Sequence, residues 1–334
     1  MFGSLIIDLE GYALTVAEKD LLKHKHIGGV LLFSRNYRSI SQLKNLVAEI
    51  RSISGKDLLI MVDHEGGRIW RFNEDFTHVP AAEHFGVLYE HDVAVAKQQV
   101  KNAAKIIAYE LLKCGVDITL APVLDLATYN KVVIGDRSFH SNPNIVVELA
   151  REFIAGLADV GMSAVGKHFP GHGGCNIDTH TSIAYDERSY DEIAKADLIP
   201  FKELSQVLQG VMPAHVIYPD VDDVSAGFSK VWLQEILHKE LNYTGAIISD
   251  CISMKGAEVQ GDFLARIQSA LYAGCDMVIL SQQKRDFLGS ILEELDWQYT
   301  EQQNVRITKL TGNFKHPNLI QPLPELAEIW SINS

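Results

Sequence analysis

Short apolar, often β-branched runs alternate with longer stretches of helical period along most of the chain. The runs Leu5–Leu9, Gly29–Phe33, Leu58–Asp63, Asp117–Pro122, Ser163–His168, Gly210–His215, Ala246–Asp250 and Asp276–Leu280 read as strands. Among the intervening segments the clearest helix places Val100, Ala103, Ala104, Ile107, Ala108, Leu111 and Leu112 on one face and stops at Gly115. Further helices are expected over Ser41–Ile53, Asn144–Val160, Tyr190–Leu208, Lys230–Leu241, Gly261–Ala273 and Lys284–Leu295. Eight strands interleaved with helices over about 300 residues predict an α/β fold of the closed (β/α)₈ TIM-barrel type. An open doubly wound sheet is the runner-up, but no glycine-rich dinucleotide fingerprint follows the first strand. No repeat, low-complexity linker or composition shift marks a second domain. One catalytic domain over residues 1–334 is therefore expected, with an irregular tail from about 313 that carries Pro317, Pro322 and Pro324.

The barrel makes a demand on the sequence, because its chemistry should collect just past the strand ends. It does so in five places. The third strand runs into Asp63-His64-Glu65-Gly66-Gly67-Arg68, with Arg71 close behind. The fourth leads to Asp125 and then to Gly135-Asp136-Arg137-Ser138-Phe139; the sixth ends at His215 and the seventh at Asp250. The fifth runs into Lys167-His168-Phe169-Pro170-Gly171-His172-Gly173-Gly174-Cys175-Asn176-Ile177-Asp178-Thr179-His180. That stretch combines three histidines, an aspartate and a lysine with glycines and few packing side chains, which marks a site more than a structural loop. Alternation along the strand aims one of Lys167 and His168 into the barrel mouth. Asp250 ends a strand as apolar as Ala246-Ile247-Ile248, so it is expected to be partly desolvated and aimed at a cleft; capping the next helix is the plain alternative. For Asp63 and Glu65 the plain alternative is a cap or surface ion pair, and Arg71 and Arg137 could equally pair with Asp63 or Asp136.

Composition narrows the field. A hydrophobic content of 47% and a charged content of 22% are those of an ordinary globular protein. The net charge of −13 lacks the basic footprint that nucleic acid or an anionic membrane surface would need, though local cations could still hold an anionic small substrate. Cys114, Cys175, Cys251 and Cys275 are far apart and form no C-x-x-C pair, as expected of reduced thiols. The segment Met1–Glu10 has no basic stretch, and its apolar run is interrupted by Asp8 and Glu10, unlike a signal peptide. A soluble, cytoplasmic protein with no membrane partner is expected.

Taken together and in order, the segment around Asp63 (VD-x-EGG-R), GDRSF at Arg137, KHFPGHG followed by Asp178-Thr179-His180, MPAH at His215 and SD-x-x-SM at Asp250 resemble the glycoside hydrolase family 3 β-N-acetylhexosaminidases of peptidoglycan recycling. The similarity spans about residues 1–310. It departs at His64 and Cys251, where the family commonly has Gln and a second Asp. The resemblance implies a retaining mechanism with Asp250 as nucleophile and a His180–Asp178 dyad as acid and base in place of a second carboxylic acid. It also implies that Asp63, Arg71, Arg137, Lys167 and His168 hold a terminal N-acetylglucosamine of a muropeptide, with no metal or organic cofactor. Three other readings compete. The first is a family 3 β-glycosidase or phosphorylase of different sugar or acceptor specificity. The second is a metal-dependent barrel hydrolase using His168, His172, His180 and Asp178, whose spacing matches no compact zinc motif. The third is a catalytically silent sugar-binding protein.

Overall fold

The computed structural model describes residues 1–128, 133–172, 174–175 and 182–312. Eight strands follow one another around a barrel: β1 (Leu5–Asp8), β2 (Ile27–Leu32), β3 (Leu59–Val62), β4 (Ile118–Thr119), β5 (Val165–Phe169), β6 (Gly210–Pro213), β7 (Ala246–Ile247) and β8 (Val278–Leu280). Parallel pairing runs β8-β1-β2-β3-β4 in one group and β5-β6-β7 in the other. Single parallel bridges, Ile118 to Ser163 and Ile248 to Met277, join the two groups and close the ring. Each expected strand is present, and closure rules out the open sheet.

The strands are apolar on both faces because both faces are covered. Alternate residues divide between two cores. Ile6, Leu31, Leu59, Met61, Ile118, Val165, Met212, Ile248 and Ile279 fill the inside of the barrel. Leu5, Ile7, Val30, Leu32, Ile60, Val62, Val278 and Leu280 face the surrounding helices. This period of two explains why Asp63, one step past outward-facing Val62, turns toward the barrel mouth.

Five helices lie within two residues of their expected spans: Ile40–Ser54, Pro143–Val160, Val231–Glu240 (wound as a π-helix), Phe263–Ala273 and Arg285–Glu294. The long one expected up to Gly115 covers Val93–Lys113. Pro143–Val160 shows why such boundaries are readable: Asn142 caps its first turn, Pro143 opens it, and Gly161 closes it at φ 96°. The expected helix over Tyr190–Leu208 is instead two, Tyr190–Ala194 and Leu198–Leu204. Pro200 has no N–H to continue a helix, and buried Asp197 is drawn to Arg188 Nη1 at 2.6 Å. Helices Val16–Lys23, Ala82–His91 and Glu301–Leu310 were not expected. The last has a sparse apolar stripe, since its buried face is Gln303, Ile307 and Leu310. Ile307 and Leu310 join Phe2 in the inner core, so this helix stops the barrel at the end opposite the site. Among the described residues, no helix is long and apolar enough to cross a membrane. The tail from about 313 lies outside the described residues.

If that helix plugs the barrel, Ile307→Ala should cost about 2–5 kcal/mol in urea unfolding, as large-to-small core changes do. Val305→Ala, on the exposed side of the same helix, should stay within about 0.5 kcal/mol. Equal effects would remove the plug.

Candidate active site

The carboxyl ends of β3 and β5 meet around one buried amine. Lys167 Nζ lies 2.7 Å from Asp63 Oδ1 and 2.7 Å from Glu65 Oε1. Glu65 in turn receives a two-pronged contact from Arg137, Nε to Oε2 at 2.9 Å and Nη2 to Oε1 at 2.8 Å. A hairpin immediately after β3, His64–Gly66 against Ile69–Trp70, sets Glu65 at this point. Burial alone would drive the Glu65 carboxyl up, but Arg137 and Lys167 overcome it and hold the group well below the usual carboxylate range. Desolvation likewise opposes the charge on Lys167, and Asp63 and Glu65 outweigh it and raise its pKa. Glu65, Lys167 and Arg137 are therefore kept ionised by one another's charge.

A second carboxylate organises the other side. Asp125, fully buried after β4, accepts from His168 Nδ1 at 2.7 Å, from the His168 N–H at 3.2 Å and from the His172 N–H at 2.6 Å. Because a carboxylate only accepts, Nδ1 of His168 carries the proton and the ring presents Nε2 as its other polar edge. Lys167 and His168 thus both bond to carboxylates, those beyond β3 and β4 respectively, where simple alternation expects one of them to face the mouth. The β5–β6 register shifts between Lys167 and Phe169, which breaks the alternation at that step.

Asp250 leaves β7 half-buried. Its Oδ1 accepts the Cys251 N–H at 2.7 Å, and its carbonyl accepts Ser249 Oγ at 2.8 Å. Cys251 Sγ is 3.0 Å from Ser281 Oγ beyond β8, and burial pushes this thiol up, so it is held as a thiol. His172 and His215 both lie within electrostatic reach of Asp250, and burial lowers the pKa of each. Arg71 sits beside His64, whose imidazole burial and the charge of Arg71 hold down to about 3.

The segment after β5 is anchored from below. Arg188 grips Asp186 with Nε at 2.9 Å and Nη2 at 2.6 Å, and reaches Asp197 with Nη1. A Cβ on Gly171 would lie 2.5 Å from that of Asp197, and one on Gly174 would lie 2.0 Å from Arg188 Nη2. The glycines are there because the buried ion pairs leave no room for side chains.

Of the eight expected site residues, Asp63, Arg137 and Lys167 form one bonded group, and His168 forms another with Asp125. Asp250 stands just past the end of β7, and Arg71 directly follows the hairpin beyond β3. Asp178 and His180 lie outside the described residues. Glu65 and Asp125 were seen at strand ends but given no role; their signal was a carboxylate within a few residues of an apolar strand. Among the described residues, no group of three or more His, Cys, Asp or Glu is arranged to hold a metal.

Residues 6–310 match the family model for the glycosyl hydrolase family 3 N terminal domain. A β-hexosaminidase of Nitrosospira multiformis is 42% identical over 337 residues, covering 98% of this chain and 96% of that one. Native NagZ from Neisseria gonorrhoeae superposes with a TM-score of 0.89 at 38% identity, over 99% of this chain and 94% of the other. The same gonococcal protein has been solved with N-trifluoroacetyl-D-glucosamine, at 37% identity to this chain over 99% of it and 94% of that structure, with a TM-score of 0.89. With the closed barrel and its strand-end chemistry, these likenesses establish that the chain belongs to glycosyl hydrolase family 3, as a glycoside hydrolase of the β-hexosaminidase type.

Proposed function

We propose that the protein is a retaining exo-β-N-acetylglucosaminidase that removes terminal N-acetylglucosamine from cell-wall muropeptides, the sugar being β-linked to 1,6-anhydro-N-acetylmuramic acid with or without its peptide. The observation that carries this reading is Asp250: a half-buried carboxylate at the end of an apolar strand, with one oxygen oriented by the Cys251 N–H. Asp250 attacks the anomeric carbon, the bond to the departing oxygen breaks, and a covalent glycosyl-enzyme forms that water resolves with net retention. His180, oriented by Asp178, gives the leaving oxygen its proton and later takes one from water, a role suited to an imidazole titrating near neutral pH. Lys167 and Arg137 are locked in charge and place by Glu65 and, for Lys167, by Asp63. They form a preorganised rim for sugar hydroxyls, together with Asp63, Arg71 and Nε2 of His168. The N-trifluoroacetyl-D-glucosamine bound by the gonococcal relative supports an amino sugar in this position. The whole chain is read as one catalytic domain acting in the cytoplasm, where recycled wall fragments would meet it.

The dyad gives the sharpest test. His180→Ala should be slowed about 10²–10⁴-fold on a natural disaccharide, whose alkoxide needs a proton. On a dinitrophenyl glycoside the first step should be largely spared and the intermediate should accumulate. Asp178→Asn should show a milder version, and Asp250→Ala should fail on both substrates. Equal losses on both substrates for His180→Ala would leave it a binding residue only. Hydrolysis of aryl β-glucosides alone, with N-acetylglucosaminides ignored, would overturn the substrate assignment.

Cys251 is expected to be dispensable, since its thiol is held protonated against Ser281. Cys251→Ser should keep activity within about threefold, because the substituted hydroxyl makes the same contact. A loss like that of Asp250→Ala, in folded protein, would place the covalent step elsewhere.

His64 gives a pH prediction. Its folded pKa of about 3 lies below the unfolded value near 6.5, so between these pH values the unfolded chain binds the extra proton. Stability should therefore fall as pH falls from about 6.5 toward 3, by up to about 1.4 kcal/mol per pH unit from this residue. His64→Gln should flatten that acid limb in urea titrations; an unchanged slope would mean the imidazole is not held neutral.

A further inference from the structure

His215 ends the short run after β6 and is buried, yet the scheme above gives it no task. Its ring stacks on Phe228, with centroids 5.4 Å apart and planes 19° from parallel. Its Nε2 lies 3.1 Å from the carbonyl oxygen of Cys251, the residue after Asp250. A carbonyl only accepts, so Nε2 carries the hydrogen and Nδ1 is bare. Nδ1 and Cε1 face the backbone of Gly227, each 3.7 Å from where a Cβ there would sit. Burial lowers the imidazole pKa against the pull of Asp250, and a neutral ring with a single N–H matches the contact seen.

The turn that presents Asp250 is thus tied at successive points. Ser249 Oγ holds the Asp250 carbonyl, the Cys251 N–H holds the Asp250 carboxylate, and Cys251 Sγ meets Ser281. The peptide after Cys251 is tied as well: the Met254 N–H donates to the Cys251 carbonyl at 3.1 Å, the Ile252 N–H donates to the Ile279 carbonyl at 3.0 Å, and His215 is the side chain that reaches the same Cys251 carbonyl from beyond β6. We propose that His215 is a positioning residue for the nucleophile: by donating Nε2–H to the Cys251 carbonyl it fixes the angle at which Asp250 meets the anomeric carbon. The inference rests on Asp250 being the nucleophile. A neutral donor suits the task, because it orients the backbone without placing a cation against the carboxylate and blunting its attack. Bond formation is sensitive to such aim, since a displacement near 1 Å can cost about 10²-fold.

The test compares His215→Phe, which keeps the stack on Phe228 but loses the donor, with His215→Gln, whose amide nitrogen reaches where Nε2 stood. His215→Asn keeps an amide that falls short, so the Gln and Asn pair repeats the comparison should the Phe variant not fold. With aryl N-acetylglucosaminides, His215→Phe and His215→Asn should lose about 30- to 100-fold in kcat with KM within twofold. The loss should be the same on dinitrophenyl and less activated leaving groups, unlike that of an acid–base residue. His215→Gln should recover to within about fivefold of the parent, all variants having comparable thermal midpoints. Losses confined to KM, or His215→Gln no better than His215→Asn, would overturn the proposal. So would His215→Phe or His215→Asn with near-parental kcat while Asp250→Ala is inactive. Full activity of Asp250→Ala would instead remove the nucleophile assignment on which this inference stands.

Discussion

The buried amine of Lys167 is the constraint around which the mouth of this barrel is built. A lone ammonium almost out of water would cost several kcal/mol or give up its proton. Two carboxylates at 2.7 Å prevent that, and Arg137 balances the second of them. The group closes electrically: Asp63 and Glu65 against Lys167 and Arg137. Such a cluster contributes little net stability compared with apolar packing, because desolvation consumes most of the attraction. Its return is a set of charged donors whose positions are fixed before any sugar arrives, which is where polar groups give most in catalysis.

Asp125 repeats the principle with backbone. Its carboxylate takes the N–H of His168, the N–H of His172 and the ring Nδ1 of His168. It therefore sets the tautomer of one histidine and the path of the chain leading to the other. Removing it would strand buried donors as well as free a side chain, so the barrel's fourth strand end is tied to the function of the fifth.

The sequence made the barrel legible because most strands are short apolar runs and several of the connecting helices have a clear apolar period with a cap or a closing glycine. Asp63 and Asp250 were legible because they follow such runs closely, Lys167 because a charge stands inside one, and Arg137 because it belongs to the polar loop beyond the fourth. What escaped was pairing. Nothing in the local sequence says that Arg137 reaches back over seventy positions to Glu65, or that His168 turns to Asp125 and Lys167 to Asp63. Those depend on which strand ends become neighbours and on a register shift inside β5. Helix Glu301–Leu310 escaped for a related reason: its buried face includes Gln303, whose amide bonds to Ser4 and to the Asp276 carbonyl. A polar residue doing core work hides the apolar stripe.

The misread helix at Tyr190–Leu208 shows how one local break serves a distant loop. A continuous helix would carry residue 197 past the barrel with its side chain committed to the helix surface. Interrupted, the chain places Asp197 under Gly171, where Arg188 joins it to Asp186. The backbone at Gly171 then rests directly on Asp197, and that at Gly174 on Arg188 and Asp186, with no room for a side chain between. Tyr218 Oη donates to the Gly171 carbonyl at 2.7 Å as well. The chain at Gly171 is thus held by Tyr218 and packed against Asp197. Gly171 and Gly174, which in the sequence belong to a stretch with few packing side chains, are positions where the backbone itself is closely packed.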